Sequence, residues 1–124
     1  MRTILLILLY LLVCIISIPL LLMECIVRKI NSKAAAAFAI RIVRIVFNTT
    51  MFLSGCKKHI CGIERIPTDK PVMFAANHRS FYDIILAYSS IAAHHVQVAF
   101  ISKIEIKKFP MIAQWMYFLN CLFM

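Results

Sequence analysis

The sequence predicts an α/β chain in two parts: membrane-associated helices, then a small α/β unit. Three observations carry this. Thr3–Met23 contains no charged residue. After Gly55, short apolar runs alternate with helical patterns, as in chains that build parallel sheets through helical crossovers. Within Pro71–Asp83, an apolar run ends in Asn77-His78, and Ser80 then opens a helical pattern with Asp83 three residues on. Composition agrees with the first part. Of 124 residues 63% are hydrophobic, beyond the usual share of a soluble domain, and the formal net charge is +9. A basic, apolar chain without a nucleic-acid-binding signature suits an anionic membrane surface.

The elements follow in order. As a helix, Thr3–Met23 would measure about 31 Å, enough to cross a hydrocarbon core. No small-x-small cleavage site follows it, so a signal peptide is disfavoured. Pro19 is placed to kink the helix or end it early, so residues 3–23 are expected to be transmembrane or membrane-dipping. Arg28, Lys29, Lys33, Arg41 and Arg44 follow the run and only Arg2 precedes it. The positive-inside rule therefore puts the rest of the chain on the cytoplasmic side.

Residues 33–54 read as a second, amphipathic helix. Four alanines favour it, and Lys33, Arg41, Arg44 and Asn48 fall on one narrow stripe. Two readings compete, a helix lying in the headgroup layer and the second arm of a membrane-dipping hairpin, with a merely solvated face as the plainer alternative. Gly55 ends the helix. Residues 1–54 thus form membrane-anchoring helices, and residues 55–124 the α/β part. There, Lys57–Glu64 is expected as a strand with Gly62 at a bulge or close approach, Ile66–Pro71 as a turn, and Val72–Ala76 as a buried strand. A helix over Ser80–Ala92 comes next, closed by His94-His95, which suit a helix C-terminus without any chemistry. His59 is read as equally ordinary. Val96–Ile101 is expected as a strand parallel to Val72–Ala76, Phe109–Leu119 as a short helix, and Cys121–Met124 as the start of another strand. The five cysteines form no Cys-x-x-Cys pair and no zinc-ligand spacing with histidine, which argues for reduced thiols and against a metal site.

His78 and Asp83 are five apart. On one continuous helix they would be rotated by about 140° and would not meet. They meet only if His78 precedes the helix and Asp83 lies in its first turn, the break that Ser80 supplies through a capping-box pattern, Ser-x-x-Asp. A carboxylate could then hold one imidazole nitrogen and leave the other to take a proton. The spacing alone leaves a plainer alternative, with Asp83 only a cap and His78 an ordinary turn residue.

Beyond the spacing, Asn77, His78 and Asp83 resemble the first signature, Asn-His-x-x-x-x-Asp after a buried strand, of the glycerolipid acyltransferases, the lysophosphatidic acid acyltransferase family. Cys61-Gly62-Ile63-Glu64-Arg65-Ile66-Pro67 resembles the stretch before that signature. Ile101-Ser102-Lys103-Ile104-Glu105 with Phe109-Pro110 resembles the block after it. The resemblance runs from about Cys61 to the C-terminus. It implies a glycerol-3-phosphate acyltransferase-like α/β domain that moves a fatty acyl group from an acyl-CoA or acyl-carrier-protein thioester to a lysophospholipid. The acceptor expected first is 1-acyl-glycerol-3-phosphate, giving phosphatidic acid.

Carried over by position, the resemblance makes His78 the general base and Asp83 its orienting carboxylate. Asn77, Arg79 and Lys103 become candidate substrate-binding residues, Arg79 and Lys103 as partners for phosphates; Lys107 and Lys108 extend the basic group. Ser80 is a cap, not a nucleophile. No metal or resident cofactor is implied, the thioester being a co-substrate, and the expected partners are membrane lipids, the lysophospholipid acceptor and the acyl donor, with no nucleic acid.

The family's later signatures, an arginine after the next strand and a Glu-Gly-Thr-Arg block, do not occur in these 124 residues. The resemblance is therefore to a C-terminally truncated, incomplete domain that keeps the base and lacks the acceptor-phosphate arginines, so weak activity is expected of this chain alone. The alternatives are a non-catalytic membrane-bound fragment or lipid-binding module, and a small channel- or transporter-like protein with lipid-facing Val72–Ala76 and Val96–Ile101.

Overall fold

The computed structural model describes residues 2–77, 79–93 and 97–124. The chain is mostly helical. Helix α1 (Arg2–Ile30) and helix α2 (Ser32–Ser54) pack on each other, and both are long and apolar enough to cross a membrane. Helix α1 runs through Pro19 and past Met23. It outlasts the charge-free run because its first charges neutralise each other: Arg28 Nη2 bonds Glu24 Oε1 at 3.0 Å, and Glu24 is fully buried. The break comes at Asn31. Its extended backbone ends one helix while its side chain accepts the amides of Lys33 and Ala34, capping the next. Gly55, at φ 72°, closes α2 in the left-handed conformation that a Cβ would strain.

Helix α2 buries Ala35, Ala39, Ile40 and Val43. The last three join Tyr88, Ala92, Trp115, Phe118, Leu119 and Cys121 in one core. Tyr88 lies on helix α3 (Phe81–Ile91), and Trp115 and Phe118 on helix α4 (Ile112–Phe118). The core therefore draws on residues from both sides of position 55. The Tyr88 ring meets Phe47 edge-on at 5.3 Å and Phe100 at 5.9 Å. Arg44, expected on the narrow basic stripe, is half-buried and donates to the Ala92 carbonyl at the C-terminus of α3. His94 and His95 lie outside the described residues.

The strand expectations change most. Lys57–Glu64 is not a strand: it is irregular up to a 3-10 turn at Ile63–Arg65, before which Gly62 takes φ 80°. Val72–Ala76 is neither a strand nor buried; it runs unpaired, with Met73 87% exposed. An apolar run becomes a strand only where another strand meets its amides and carbonyls, and among the described residues none does. Of Val96–Ile101, Val96 lies outside the described residues and 97–100 is irregular. Strand β1 (Ile101–Ser102) pairs in parallel with strand β2 (Leu122–Phe123), Ile101 opposite Leu122. A 3-10 helix, Ile104–Lys108, and then α4 make the crossover between them. The parallel pair thus exists, but with the C-terminal strand as partner.

Helix α4 is fastened to α1 by polar contacts. The Trp115 indole N–H donates to Ser17 Oγ at 3.0 Å. Arg28 Nη2 also donates to the Phe118 carbonyl at 2.9 Å, with its guanidinium over the Phe118 ring. Met111 enters α4 through a γ-turn at φ 66°, Ile112 N–H bonding the Pro110 carbonyl.

Two outcomes follow. Arg28→Met strands the Glu24 carboxylate and should destabilise the fold by about 3 kcal/mol, whereas Glu24→Met with Arg28→Met should recover most of that loss; thermal unfolding in micelles reads both. Among the described residues the buried Tyr88 hydroxyl has no hydrogen-bond partner, so Tyr88→Phe should raise stability by about 1 kcal/mol. Burial, with a smaller contribution from Cys121 and against Arg44, holds the Tyr88 proton well above its ordinary range, and burial also pushes the Cys121 thiol up. Both contributions to stability are complete below the unfolded-state values. Tyr88's is lost as the pH climbs past about 10, and Tyr88→Phe should flatten that fall in a pH-stability series.

Candidate active site

The candidate site is built on the first turn of α3. Ser80, at φ −147° and ψ 149°, is the N-cap, and its hydroxyl oxygen accepts the Tyr82 amide at 3.3 Å. Asp83 reaches back, its Oδ2 accepting the amides of Arg79 at 2.7 Å and Ser80 at 2.8 Å. This is the capping box that Ser-x-x-Asp predicts. Two N–H dipoles and the helix N-terminus hold the carboxylate in one orientation and favour its charged form. A short polar side chain one turn into a helix thus becomes a fixed acceptor directly after residues 77–79.

The far end of α3 is fixed separately. Lys58 Nζ donates to Asn48 Oδ1 at 2.7 Å and to Ser89 Oγ at 3.4 Å, tying the segment after α2 to both helices. Arg44 binds the Ala92 carbonyl. Sequence reasoning missed both, and no local pattern could have found them, since Lys58 and Ser89 are 31 residues apart and Arg44 and Ala92 are 48 apart.

Of the expected site residues, Asp83 and the backbone of Arg79 come together. Asn77 is exposed and irregular immediately before them. The Arg79 side chain is exposed. Lys103 is exposed at the start of the 3-10 helix Ile104–Lys108, and among the described residues no hydrogen bond or ion pair joins it to the Asp83 group. His78 lies outside the described residues. His59 is exposed, its Nδ1 3.5 Å from Cys61 Sγ.

Comparison with known proteins assigns the chain to a family. A family model described as Acyltransferase matches residues 57–124, more than half of the chain and the whole of the stretch that carries α3. The chain belongs to this family, that of the glycerolipid acyltransferases, which supports a general acyltransferase function. Comparison with curated proteins and with solved structures gave no match.

The capping box yields its own test. Ser80→Ala should cost about 1 kcal/mol. Asp83→Ala, which removes the acceptor of two amides, should cost more than Ser80→Ala and speed amide exchange at Arg79 and Ser80. Thermal unfolding and hydrogen exchange measure the two effects.

Proposed function

We propose that the chain transfers a fatty acyl group from an acyl-CoA or acyl-carrier-protein thioester to the free hydroxyl of a lysophospholipid, with 1-acyl-glycerol-3-phosphate as the acceptor and phosphatidic acid as the product. The observation that carries this is Asp83, clamped by the amides of Arg79 and Ser80 one turn after Asn77-His78, in a chain of the acyltransferase family.

In this mechanism His78 takes the proton of the acceptor hydroxyl as its oxygen attacks the thioester carbonyl. The carbon–sulfur bond then breaks, and the proton passes to the departing thiolate. Asp83 orients the imidazole and offsets the positive charge it gains. Held through Oδ2 by two amides, the carboxylate is fixed in advance, which is the advantage of a preset electrostatic partner. Arg79 and Lys103, both exposed cations, bind phosphate groups of the substrates, and Asn77 shapes the turn.

The parallel β1–β2 pair, crossed by α4, supports an α/β acyltransferase domain over residues 55–124, carried by membrane helices in residues 1–54. Helix α2 gives one face to the core, whereas α1 presents apolar side chains outward along its length, from Ile4 to Ile30. We therefore assign anchoring chiefly to α1, with the acyltransferase part on the cytoplasmic side, where Lys29, Lys33 and Arg41 meet anionic headgroups.

The test is thiol release from an acyl-CoA by the purified chain in vesicles, with and without 1-acyl-glycerol-3-phosphate. His78→Ala should lower acceptor-dependent release by at least about a hundredfold. Asp83→Asn should lower it less, and Ser80→Ala should leave it nearly unchanged at temperatures where the fold is intact. Release that His78→Ala does not alter would sink the assignment of the base.

A further inference from the structure

A groove of about 480 Å³ lies where α1, α4, the 3-10 helix Ile104–Lys108 and β2 meet. The Phe118 and Phe123 rings line it, Cys25 of α1 borders it, and Gln114, Tyr117 and Lys107 stand exposed around it. None of these residues belongs to the Asn77–Asp83 site. The groove is open to the surface and mainly apolar, with few polar groups.

Three features say what fits. The first is charge. Lys107 Nζ lies 5.2 Å from the centre of the Phe123 ring, and among the described residues it makes no ion pair. Residues 103–108 carry Lys103, Lys107 and Lys108 against Glu105 alone. On the α1 side the nearest carboxylate, Glu24, is fully buried and already bonded to Arg28. The rim is therefore net positive, with no exposed acid from α1 or α4. The second is continuity: Leu22 and Ile26, which flank Cys25 on α1, are 63% and 62% exposed, so the groove adjoins the apolar surface that α1 offers to lipid. The third is the lining, to which Tyr117 and Gln114 add an aromatic ring and an amide alongside Lys107, a mixture suited to the level of headgroups and ester carbonyls.

We propose that the groove is a binding site for an anionic membrane phospholipid. One acyl chain packs on Phe118 and Phe123, and the phosphate meets Lys107, with Gln114 donating to the phosphate or ester oxygens. The bound lipid is a resident of the α1–α4 seam, separate from the reacting acceptor, and it joins the anchor to the segment that carries the lysines.

The test is native mass spectrometry of the full chain released from vesicles of equal parts dioleoylphosphatidylglycerol and dioleoylphosphatidylcholine. The wild type should retain the phosphatidylglycerol in preference by about fivefold, the effect of one lysine at an anionic surface. Lys107→Glu, a surface change that leaves the core intact, should erase the preference. Ala113→Trp, which fills the groove, should remove both lipids; if that variant does not fold, Lys107→Glu still decides. Retention of neither lipid by the wild type, or a preference that Lys107→Glu leaves unchanged, would overturn the proposal. So would Cys25-to-Cys25 cross-linking in the vesicles with loss of bound lipid, which would show a second copy occupying the groove.

Discussion

The burial of Tyr88 is the constraint on which the rest of the structure turns. Its ring has no exposed surface and touches Phe47 of α2 on one side and Phe100, just before β1, on the other. It therefore fixes α3 to the helical hairpin and to the small sheet at once. The cost is an unbonded hydroxyl in an apolar site, which the aromatic contacts must outweigh. Around it, Lys58 and Arg44 hold the C-terminal half of α3 by its surface and its last carbonyls. The N-terminal turn, which carries Asp83, is satisfied within itself by the capping box. One end of the helix is built into the core, and the other carries a half-buried carboxylate held by local bonds.

That division separates scaffold from chemistry. The exposed stretch from Val72 to Asn77 leads into a capped helix start whose geometry depends on a few local bonds. Among the described residues, no element covers the stretch from Val72 to Asn77. Catalysis of the proposed type thus leans on preset electrostatics more than on enclosure.

What the sequence made legible was local. Gly55 and Ser80 each act within a few residues, through a backbone that tolerates positive φ or a side chain that accepts a neighbouring amide, so the end of α2 and the start of α3 followed from them; the Asn31 cap is just as local, but the sequence reading did not single it out. The Asp83 clamp followed from the same reasoning, since Ser80 and Asp83 are three apart. The strands were not legible. Val72–Ala76 has the composition of a buried strand, but strand formation depends on a partner distant in the chain, and β1 found its partner at Leu122. Pro19 and the charge at Glu24 misled for a related reason: both argued for an early end to α1, yet Arg28 and the docking of α4 stabilise the helix beyond them. Arg44 read as part of a basic face toward headgroups or water because its acceptor, the Ala92 carbonyl, lies at the end of another helix.

The polar stripe of α1 reaches beyond stability. Ser17, Glu24 and Arg28 recur at intervals of seven and four, which confines them to roughly 40° of the helix circumference. A hydrophobic anchor without such marks could turn about its long axis in the bilayer at little cost. Helix α1 cannot turn independently of α4, because a modest roll would pull the serine from the indole and the guanidinium from the backbone carbonyl of Phe118. It works as a keyed shaft rather than a tether: any turn of α1 about its long axis carries α4 with it.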